Sequence, residues 1–248
     1  MVDPEGVLEG LRHHFPIRPQ PYGASERAVG LVIIDAVNGF CTVGAGNLAP
    51  PEPDAQVARM VEVTARLARR FAERRKPILA FLDTHEPGKA EPPYPPHCER
   101  GTGEENLVPE LAWLEACPEA TLLRKDCING WVGAIEPVHT GQHGVFHNRL
   151  VGWLGTHRLD AVIVTGICTD ICVMDFVLTL LSARNHGLTP WLKDVVVYEP
   201  ATATFDLPRA AAEAAGLPAT SAHPKGPAHH MGLYFMASRG AILASELI

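Results

Sequence analysis

The chain has 248 residues, 46% hydrophobic and 20% charged, so it is long enough to bury a sizeable core and has the composition of a soluble globular protein. Its net charge of -7 argues against a nucleic-acid partner, and the lack of an apolar run of about 18 residues argues against a membrane span. Acidic residues in the first ten positions are unlike a secretory or transit signal. We therefore expect an intracellular, cytoplasmic protein, with nuclear access left open, whose six cysteines are mostly thiols.

The predicted elements alternate between short apolar runs and segments of helical periodicity. Residues 1–28 are predicted to be an irregular or weakly helical arm and residues 29–248 a single domain, although length alone also allows two domains. In chain order, strands are predicted at residues 29–34, 78–82, 122–123, 161–165 and 191–198, and helices at 57–71, 148–157, 170–186, 207–216 and 228–239. The proline-rich and glycine-rich residues 84–106 are predicted to form a functional loop.

This alternation predicts an α/β fold with three layers, in which a mostly parallel sheet carries helices on both faces. Sheets of this kind bind ligands at the carboxyl ends of their strands. Asp35, Asp83, Lys125 and Gly166 each lie at the end of a predicted strand. Four elements that are far apart in sequence are therefore expected to meet at one edge of the sheet, which predicts an active site there.

The segment from Thr165 to Cys172 is predicted to pass from a strand into a helix, which places Cys172 near a helix N-terminus. The helix dipole and the free N–H groups at such a position favour a thiolate and could hold an oxyanion. Two alternatives stay open. Cys168 and Cys172 could be small core residues, or they could form a reversible redox pair.

Asp83, His85 and His97 combine a carboxylate with two imidazoles, which suits a zinc or iron(II) ion with open coordination positions. Asp83 and His85 point to the same side of a strand end, because the side-chain period of a strand is two. Glu91 lies between the two histidines in sequence and could add a fourth ligand. The alternatives are a hydrogen-bonded loop pair and an exposed carboxylate.

Asp35 and Lys125 are charged residues at predicted strand ends. A carboxylate that follows a buried strand needs a partner or a function, so Asp35 could accept a proton from a thiol while Lys125 pairs with it. Each could equally be a surface residue. The adjacent His229 and His230 would diverge by about 100° on a helix and are not expected to share an ion.

Asp35, Lys125 and Cys172, in that chain order, resemble the catalytic triad of the isochorismatase-like cysteine hydrolases. The stretch from Val164 to Val173 is similar to the segment around the nucleophile of that family. The resemblance runs from about residue 29 to residue 200. It implies the isochorismatase-like version of the α/β fold and assigns catalysis to these three residues.

Two further motifs resemble the nicotinamidases within this family. Asp83-Thr84-His85 and the stretch from Tyr94 to Thr102 are similar to their metal-binding motifs, which other members generally lack. Residues 125–131 are most similar to plant-type nicotinamidases. Asp83, His85 and His97 are thereby implied to hold one divalent ion, zinc with iron(II) as the alternative.

The resemblance implies hydrolysis of nicotinamide to nicotinic acid and ammonia through a thioester on Cys172, as a step of NAD salvage. The ion would coordinate the pyridine nitrogen, and Phe40, Tyr94 and Ile167 would contact the substrate. The N–H groups of Cys168 and Cys172 would form the oxyanion hole, with a cis peptide bond between Ile167 and Cys168. Relatives are often dimers or larger assemblies, so a homo-oligomer stays open.

The sequence departs from the family at three positions. Val37 and Gly39 stand where the family often has Gln and Asp, and Tyr94 replaces the Trp of many relatives. Three competing functions are another amidohydrolase or carbamoyl hydrolase on the same fold, a redox protein that uses Cys168 and Cys172, and a catalytically inactive scaffold that binds a protein.

Overall fold

The computed structural model describes residues 4–24, 27–89, 91–138 and 144–248. The strands, in chain order, are β1 (Gln20–Tyr22), β2 (Val29–Ile34), β3 (Ile78–Asp83), β4 (Ala120–Lys125), β5 (Ile135–Pro137), β6 (Phe146–Asn148), β7 (Ala161–Ile167), β8 (Asp194–Ala203) and β9 (Ile242–Leu247). The helices are α1 (Pro4–His14), α2 (Asn38–Cys41), α3 (Ala55–Glu73), α4 (Gly130–Gly133), α5 (Arg149–His157), α6 (Cys172–Asn185), α7 (Arg209–Ala214) and α8 (Lys225–Ser238).

The main sheet of the described residues has seven strands in the order β1-β9-β8-β7-β2-β3-β4, and all of its neighbouring strands are parallel. β5 and β6 form a separate antiparallel hairpin. Every residue of β2, β3 and β7 is buried, because these strands lie inside the sheet and are covered on both faces. The predicted α/β fold with a parallel sheet is confirmed.

Two hydrophobic cores lie between the sheet and its helices, one on each face of the sheet. On one face, α3 packs its buried side chains, among them Met60 and Phe71, against Leu31 and Ile33 of β2. On the other face, α5, α6 and α8 bury their apolar side chains against the alternate strand residues, which point to the opposite side of the sheet. α3 begins where Asp54 accepts hydrogen bonds from the N–H groups two and three residues later, as an N-cap residue does.

The ends of the chain contain more regular structure than the sequence predicts. Within the predicted arm, α1 is a helix of 11 residues and β1 pairs with β9 as an edge strand of the main sheet. The division of the chain at residue 28 stays a prediction. β8 continues to Ala203, five residues beyond its predicted end, and includes Glu199 and Pro200. β9 and the hairpin of β5 and β6 are not predicted.

None of the helices in the described residues is both long enough and apolar enough to span a bilayer. All six cysteines are free thiols.

Candidate active site

The carboxyl ends of β2, β4 and β7 bring Asp35, Lys125 and Cys172 together. Asp35 follows β2, Lys125 ends β4 and Cys172 is the first residue of α6. Lys125 Nζ lies 2.8 Å from Asp35 Oδ2, and both side chains are fully buried. Cys172 is close enough to the Asp35 carboxylate to lower the pKa of that group, although its thiol makes no hydrogen bond of ordinary geometry to it. The three predicted catalytic residues therefore form one contiguous group, which can transfer a proton between sulfur and carboxylate.

Burial governs the acidity of this group. It raises the pKa of Asp35 to about 6, although the charge of Lys125 opposes the shift. Burial also raises the pKa of the Cys172 thiol well above its ordinary value, again against the influence of Lys125. The Cys172 side chain is thus a thiol, not the thiolate that a helix N-terminus favours. Burial lowers the pKa of Lys125, but the charges of Asp35 and Cys172 outweigh it and raise that pKa well above its usual value.

The turn between β7 and α6 carries Cys172, the predicted nucleophile. Its Ile167–Cys168 peptide bond is cis, as the family resemblance predicts. Hydrogen bonds within the turn are donated by the N–H groups of Ile171 and Val173 to the carbonyl oxygen of Cys168. The N–H groups of Cys168 and Cys172 are not among the donors of this turn in the described residues. They are the two donors that the predicted oxyanion hole would use.

Asp83, His85 and His97 converge on one point next to this group. Their ligand atoms all lie within 4.8 Å of one another, and all three residues are buried. The Nε2 atoms of His85 and His97 are each 3.1 Å from Asp83 Oδ2. The other carboxylate oxygen of Asp83, Oδ1, lies 2.9 Å from Lys125 Nζ, so Asp83 links the histidines to the catalytic group.

These residues fit a divalent metal ion. One carboxylate and two imidazoles are ligands that zinc and iron(II) accept. His97 Nδ1 lies 2.8 Å from the carbonyl oxygen of Pro95, to which it can only donate, so a neutral His97 ring would carry its lone pair on Nε2, the atom that faces Asp83. Although burial opposes it, the charge of Lys125 and the two histidines hold the pKa of Asp83 well below its usual value, so this carboxylate is ionised.

Glu91 lies at the edge of the same cluster. Its Oε2 is 3.6 Å from His85 Nε2 and 3.7 Å from His97 Nε2. Its Oε1 accepts a hydrogen bond of 3.0 Å from the N–H of Ile128, which fixes the direction of the carboxylate. Glu91 is therefore oriented toward the two histidines and is not an unattached loop residue.

Aromatic rings flank the cluster. The ring centroid of Phe40 lies 5.6 Å from that of His97, and the ring centroid of Tyr94 lies 6.1 Å from it. Burial and the neighbouring Cys172 raise the pKa of Tyr94 to about 12, so its hydroxyl stays neutral. Ile167 is buried at the end of β7, next to the nucleophile turn. The predicted ring-binding residues thus border both the metal cluster and the thiol.

Two of the three positions at which the sequence departs from the family, Val37 and Gly39, lie against the chain that follows His97. Val37 is fully buried and pairs through its backbone with Leu107. A Cβ atom at Gly39 would lie 2.6 Å from Cys98 Sγ and 3.1 Å from the Cβ of Glu104. In this chain Gly39 therefore permits α2 to approach the loop closely, and a larger side chain would have to displace Cys98.

A second polar cluster behind the nucleophile turn was not predicted. Asp170 Oδ2 lies 2.7 Å from His223 Nε2, and Asp170 Oδ1 accepts a hydrogen bond of 2.7 Å from Thr204 Oγ1. His229 Nδ1 lies 2.9 Å from Thr169 Oγ1, whereas His230 Nε2 contacts a backbone carbonyl near α1. The two adjacent histidines diverge as predicted, but the sequence contains no signal that links residues 170 and 223.

Comparisons with known proteins agree with this geometry. The model of the isochorismatase domain matches residues 29–223. The sequence is 47% identical over 249 residues to Nicotinamidase 1 of Arabidopsis thaliana, an alignment that covers 100% of this chain and 98% of that protein.

Two solved structures share the fold. Nicotinamidase PncA of Bacillus subtilis matches with a TM-score of 0.63 at 21% identity and covers 88% of this chain and 99% of its own. N-carbamoylsarcosine amidase of Thermoplasma acidophilum matches with a TM-score of 0.59 at 21% identity and covers 87% of this chain and 95% of its own. At these identities the two structures show the fold alone.

Proposed function

Because the chain belongs to the isochorismatase family, we propose that it is a nicotinamidase, which hydrolyses nicotinamide to nicotinic acid and ammonia in NAD salvage. Two observations support this assignment: the identity of 47% along the whole chain with Nicotinamidase 1 of Arabidopsis thaliana, and the closeness of Cys172 to the buried pair of Asp35 and Lys125, whose pKa values it affects. The second observation carries the proposal, because it supplies a nucleophile and a base in one buried place.

Acyl transfer proceeds in two halves. Asp35 accepts the thiol proton as Cys172 attacks the carboxamide carbon, and the C–N bond then breaks as Asp35 returns that proton to the departing ammonia. In the second half Asp35 takes a proton from water as its oxygen attacks the thioester, and the C–S bond then breaks as Asp35 returns that proton to the Cys172 sulfur, which releases nicotinic acid. Lys125 stays protonated throughout and balances the negative charge that passes between sulfur and carboxylate.

The backbone N–H groups of Cys168 and Cys172 stabilise the oxyanion of each tetrahedral intermediate. Because this role needs backbone atoms only, replacement of the Cys168 side chain by serine is expected to spare turnover. Retained turnover in Cys168→Ser would also exclude a mechanism that depends on a disulfide between Cys168 and Cys172.

Asp83, His85 and His97 would hold one divalent ion, zinc or iron(II), and Glu91 is oriented to add a fourth ligand. When bound, the ion supplies a coordination position for the pyridine nitrogen. Phe40 and Tyr94 then pack against the substrate ring. Benzamide has no ring nitrogen and is expected to be a much poorer substrate, whereas pyrazinamide should be accepted.

The deciding experiment measures ammonia release from nicotinamide by the purified protein. Turnover is expected in the wild type, and Cys172→Ala should remove nearly all of it. Cys117→Ser is the matched control, because Cys117 lies away from the catalytic group next to Glu119. If the wild type releases no ammonia from nicotinamide but hydrolyses an N-carbamoyl compound, the chain is a different amidohydrolase. A small-molecule substrate and a cytoplasmic location are part of this proposal.

A further inference from the structure

The turn that carries the nucleophile is held from behind by the C-terminal part of the chain. Asp170, midway between Cys168 and Cys172, faces Thr204 with one carboxylate oxygen and His223 with the other. The side chains of Asp170 and His223 are only 16% and 14% exposed. The His223 ring also stacks on Phe205, with ring centroids 3.9 Å apart. This ring is therefore held in one orientation by three contacts.

The contacts of His223 require that it is an imidazolium. Its Nε2 faces the Asp170 carboxylate at 2.7 Å, and its Nδ1 faces the carbonyl oxygen of Phe205 at 3.0 Å. Both partners accept hydrogen bonds and neither can donate one, so both ring nitrogens must carry a proton. Although burial lowers it, the hydrogen bond and charge of Asp170 raise the pKa of His223 above its usual value. Asp170 and His223 form a charge-neutral pair.

The charge of Asp170 reaches the catalytic site. Burial is the largest cause of the raised pKa of the Cys168 thiol, about 12, and the charge of Asp170 is the second largest. The charge of Asp170 also contributes to the raised pKa of Tyr94. An unpaired carboxylate at this position would oppose negative charge on a substrate oxygen held by the N–H groups of the turn. The nearest other basic groups do not replace His223. Burial lowers the pKa of His229 to about 4, and Lys225 pairs with Asp54.

We propose that His223 is a positioning residue for the nucleophile turn: its imidazolium fixes and neutralises Asp170, so that the N–H groups of Cys168 and Cys172 face a substrate oxyanion without an opposing charge. This inference rests on the proposed hydrolase function. The packing of α8 supports it, since a Cβ at Gly232 would lie 2.8 Å from the Asp170 Cα. The turn therefore has little room to move away from the C-terminal segment.

A double-mutant cycle separates charge from shape. His223→Asn leaves Asp170 charged and unpaired, and it is expected to lower kcat for nicotinamide on the order of tenfold, with KM changed by less than about threefold. The double variant Asp170→Asn with His223→Asn removes both charges and is expected to recover most of that loss. A double variant as slow as His223→Asn, or a single variant with wild-type kcat, would overturn the proposal.

Thr204→Val provides a matched control on the same carboxylate. It removes one hydrogen bond to Asp170 but leaves the ion pair intact, so kcat is expected to fall by less than about threefold. A loss of kcat in Thr204→Val as large as that in His223→Asn would contradict the proposal, because it would show that the hydrogen bonds to Asp170 matter and its charge does not.

If circular dichroism shows that His223→Asn does not fold, Asp170→Asn alone decides the question. A folded Asp170→Asn with a kcat loss above about tenfold would contradict the proposal.

A second readout does not depend on the substrate. The rate at which iodoacetamide alkylates Cys172, located by peptide mass spectrometry, reports the thiolate fraction. We expect His223→Asn to slow this alkylation several-fold at pH 8 and the double variant to restore it. If the wild type releases no ammonia from nicotinamide, the proposed function is wrong. The alkylation rates still decide whether His223 neutralises Asp170, because equal rates in all variants would contradict it.

Discussion

Asp35 is a carboxylate whose acidity is suited to both accepting and returning a proton. Its backbone has a φ of 51° and its side chain is fully buried against Lys125. With a pKa raised to about 6, the group is ionised at neutral pH but close to protonation. Because the Cys172 thiol is protonated in the resting protein, the proton must move to Asp35 during attack. A strongly acidic carboxylate would be a poor base for this step.

This environment predicts an acid limb in the pH profile. The reaction needs ionised Asp35, so kcat/KM for nicotinamide is expected to fall as the pH drops through about 6, where this carboxylate takes up a proton. The measurement is kcat/KM between pH 5 and pH 8. Asp126→Asn should keep the limb, because Asp126 is a half-exposed carboxylate that pairs with Lys89. A profile that is flat down to pH 5 would contradict the role of Asp35.

Replacement of Lys125, the partner of Asp35, also tests whether the acid limb belongs to Asp35. The charge of Lys125 lowers the pKa of Asp35, so Lys125→Gln is expected to move the acid limb upward by about one pH unit or more while it lowers kcat. The limb is measured on the residual activity of the variant. An unchanged limb would assign it to a different group.

At the scale of elements, the close approach of β2 and β7 brings base and nucleophile together. Gly166 has a φ of 123°, and a Cβ there would lie 2.0 Å from the carbonyl oxygen of Ile34. Asp35 follows Ile34 directly, and Cys172 begins the helix after β7. Only glycine allows the two strand ends to come this close.

Gly166→Ala is therefore expected to lower the free energy of unfolding by about 3 kcal/mol or more, since a backbone atom must move to make room. Gly187→Ala is the matched control. Gly187 also has a positive φ, 87°, but a Cβ there meets no atom within 4 Å, so only the conformational cost of about 1 kcal/mol remains. Urea denaturation measures both values. Equal losses would show that the approach to Ile34 is not tight.

The C-terminal segment adds a pH-dependent contribution to stability. The raised pKa of His223 means that its stabilisation is complete below the ordinary histidine pKa and is lost as the pH rises through the folded value. The lowered pKa of Asp170 means that its stabilisation is lost as the pH falls through that value. Wild type and His223→Asn should therefore differ most near pH 6, on the order of 1 kcal/mol, and converge by pH 9. Thermal unfolding at both pH values measures this, and a constant difference would contradict the ion pair.

For the whole molecule, the sequence predicts the features that depend on the periodicity of apolar residues and on which residues end the strands. Apolar runs indicate the strands, and Asp35, Asp83 and Lys125 follow or end three of them, two inside the sheet and one at its edge, so their convergence is a consequence of parallel topology. The resemblance to a family adds predictions that residue spacing alone leaves open, such as the set of metal ligands and the cis peptide bond.

Other features depend on contacts that no local pattern encodes. β1 is three residues long and is held at the sheet edge by β9, which itself contains the polar residues Ser245 and Glu246. His223 differs from an ordinary loop histidine through its contacts with Phe205 and with Asp170, which is 53 residues away in sequence. That contact exists because α8 packs on the nucleophile turn, and it can be found only once the fold is known.

Metal removal is expected to affect the whole molecule, because the proposed ion would join a long loop to the sheet. Asp83 ends β3, whereas His97 lies in the loop that follows, and Asp83 also contacts Lys125 of β4. A ligand that binds only the folded state stabilises it, so chelation should lower the Tm on the order of 5 °C and abolish ammonia release, and added zinc or iron(II) should restore both. His97→Ala should lose this response, and elemental analysis should find less metal in it. A wild type that contains no metal and is indifferent to chelation would contradict the metal site.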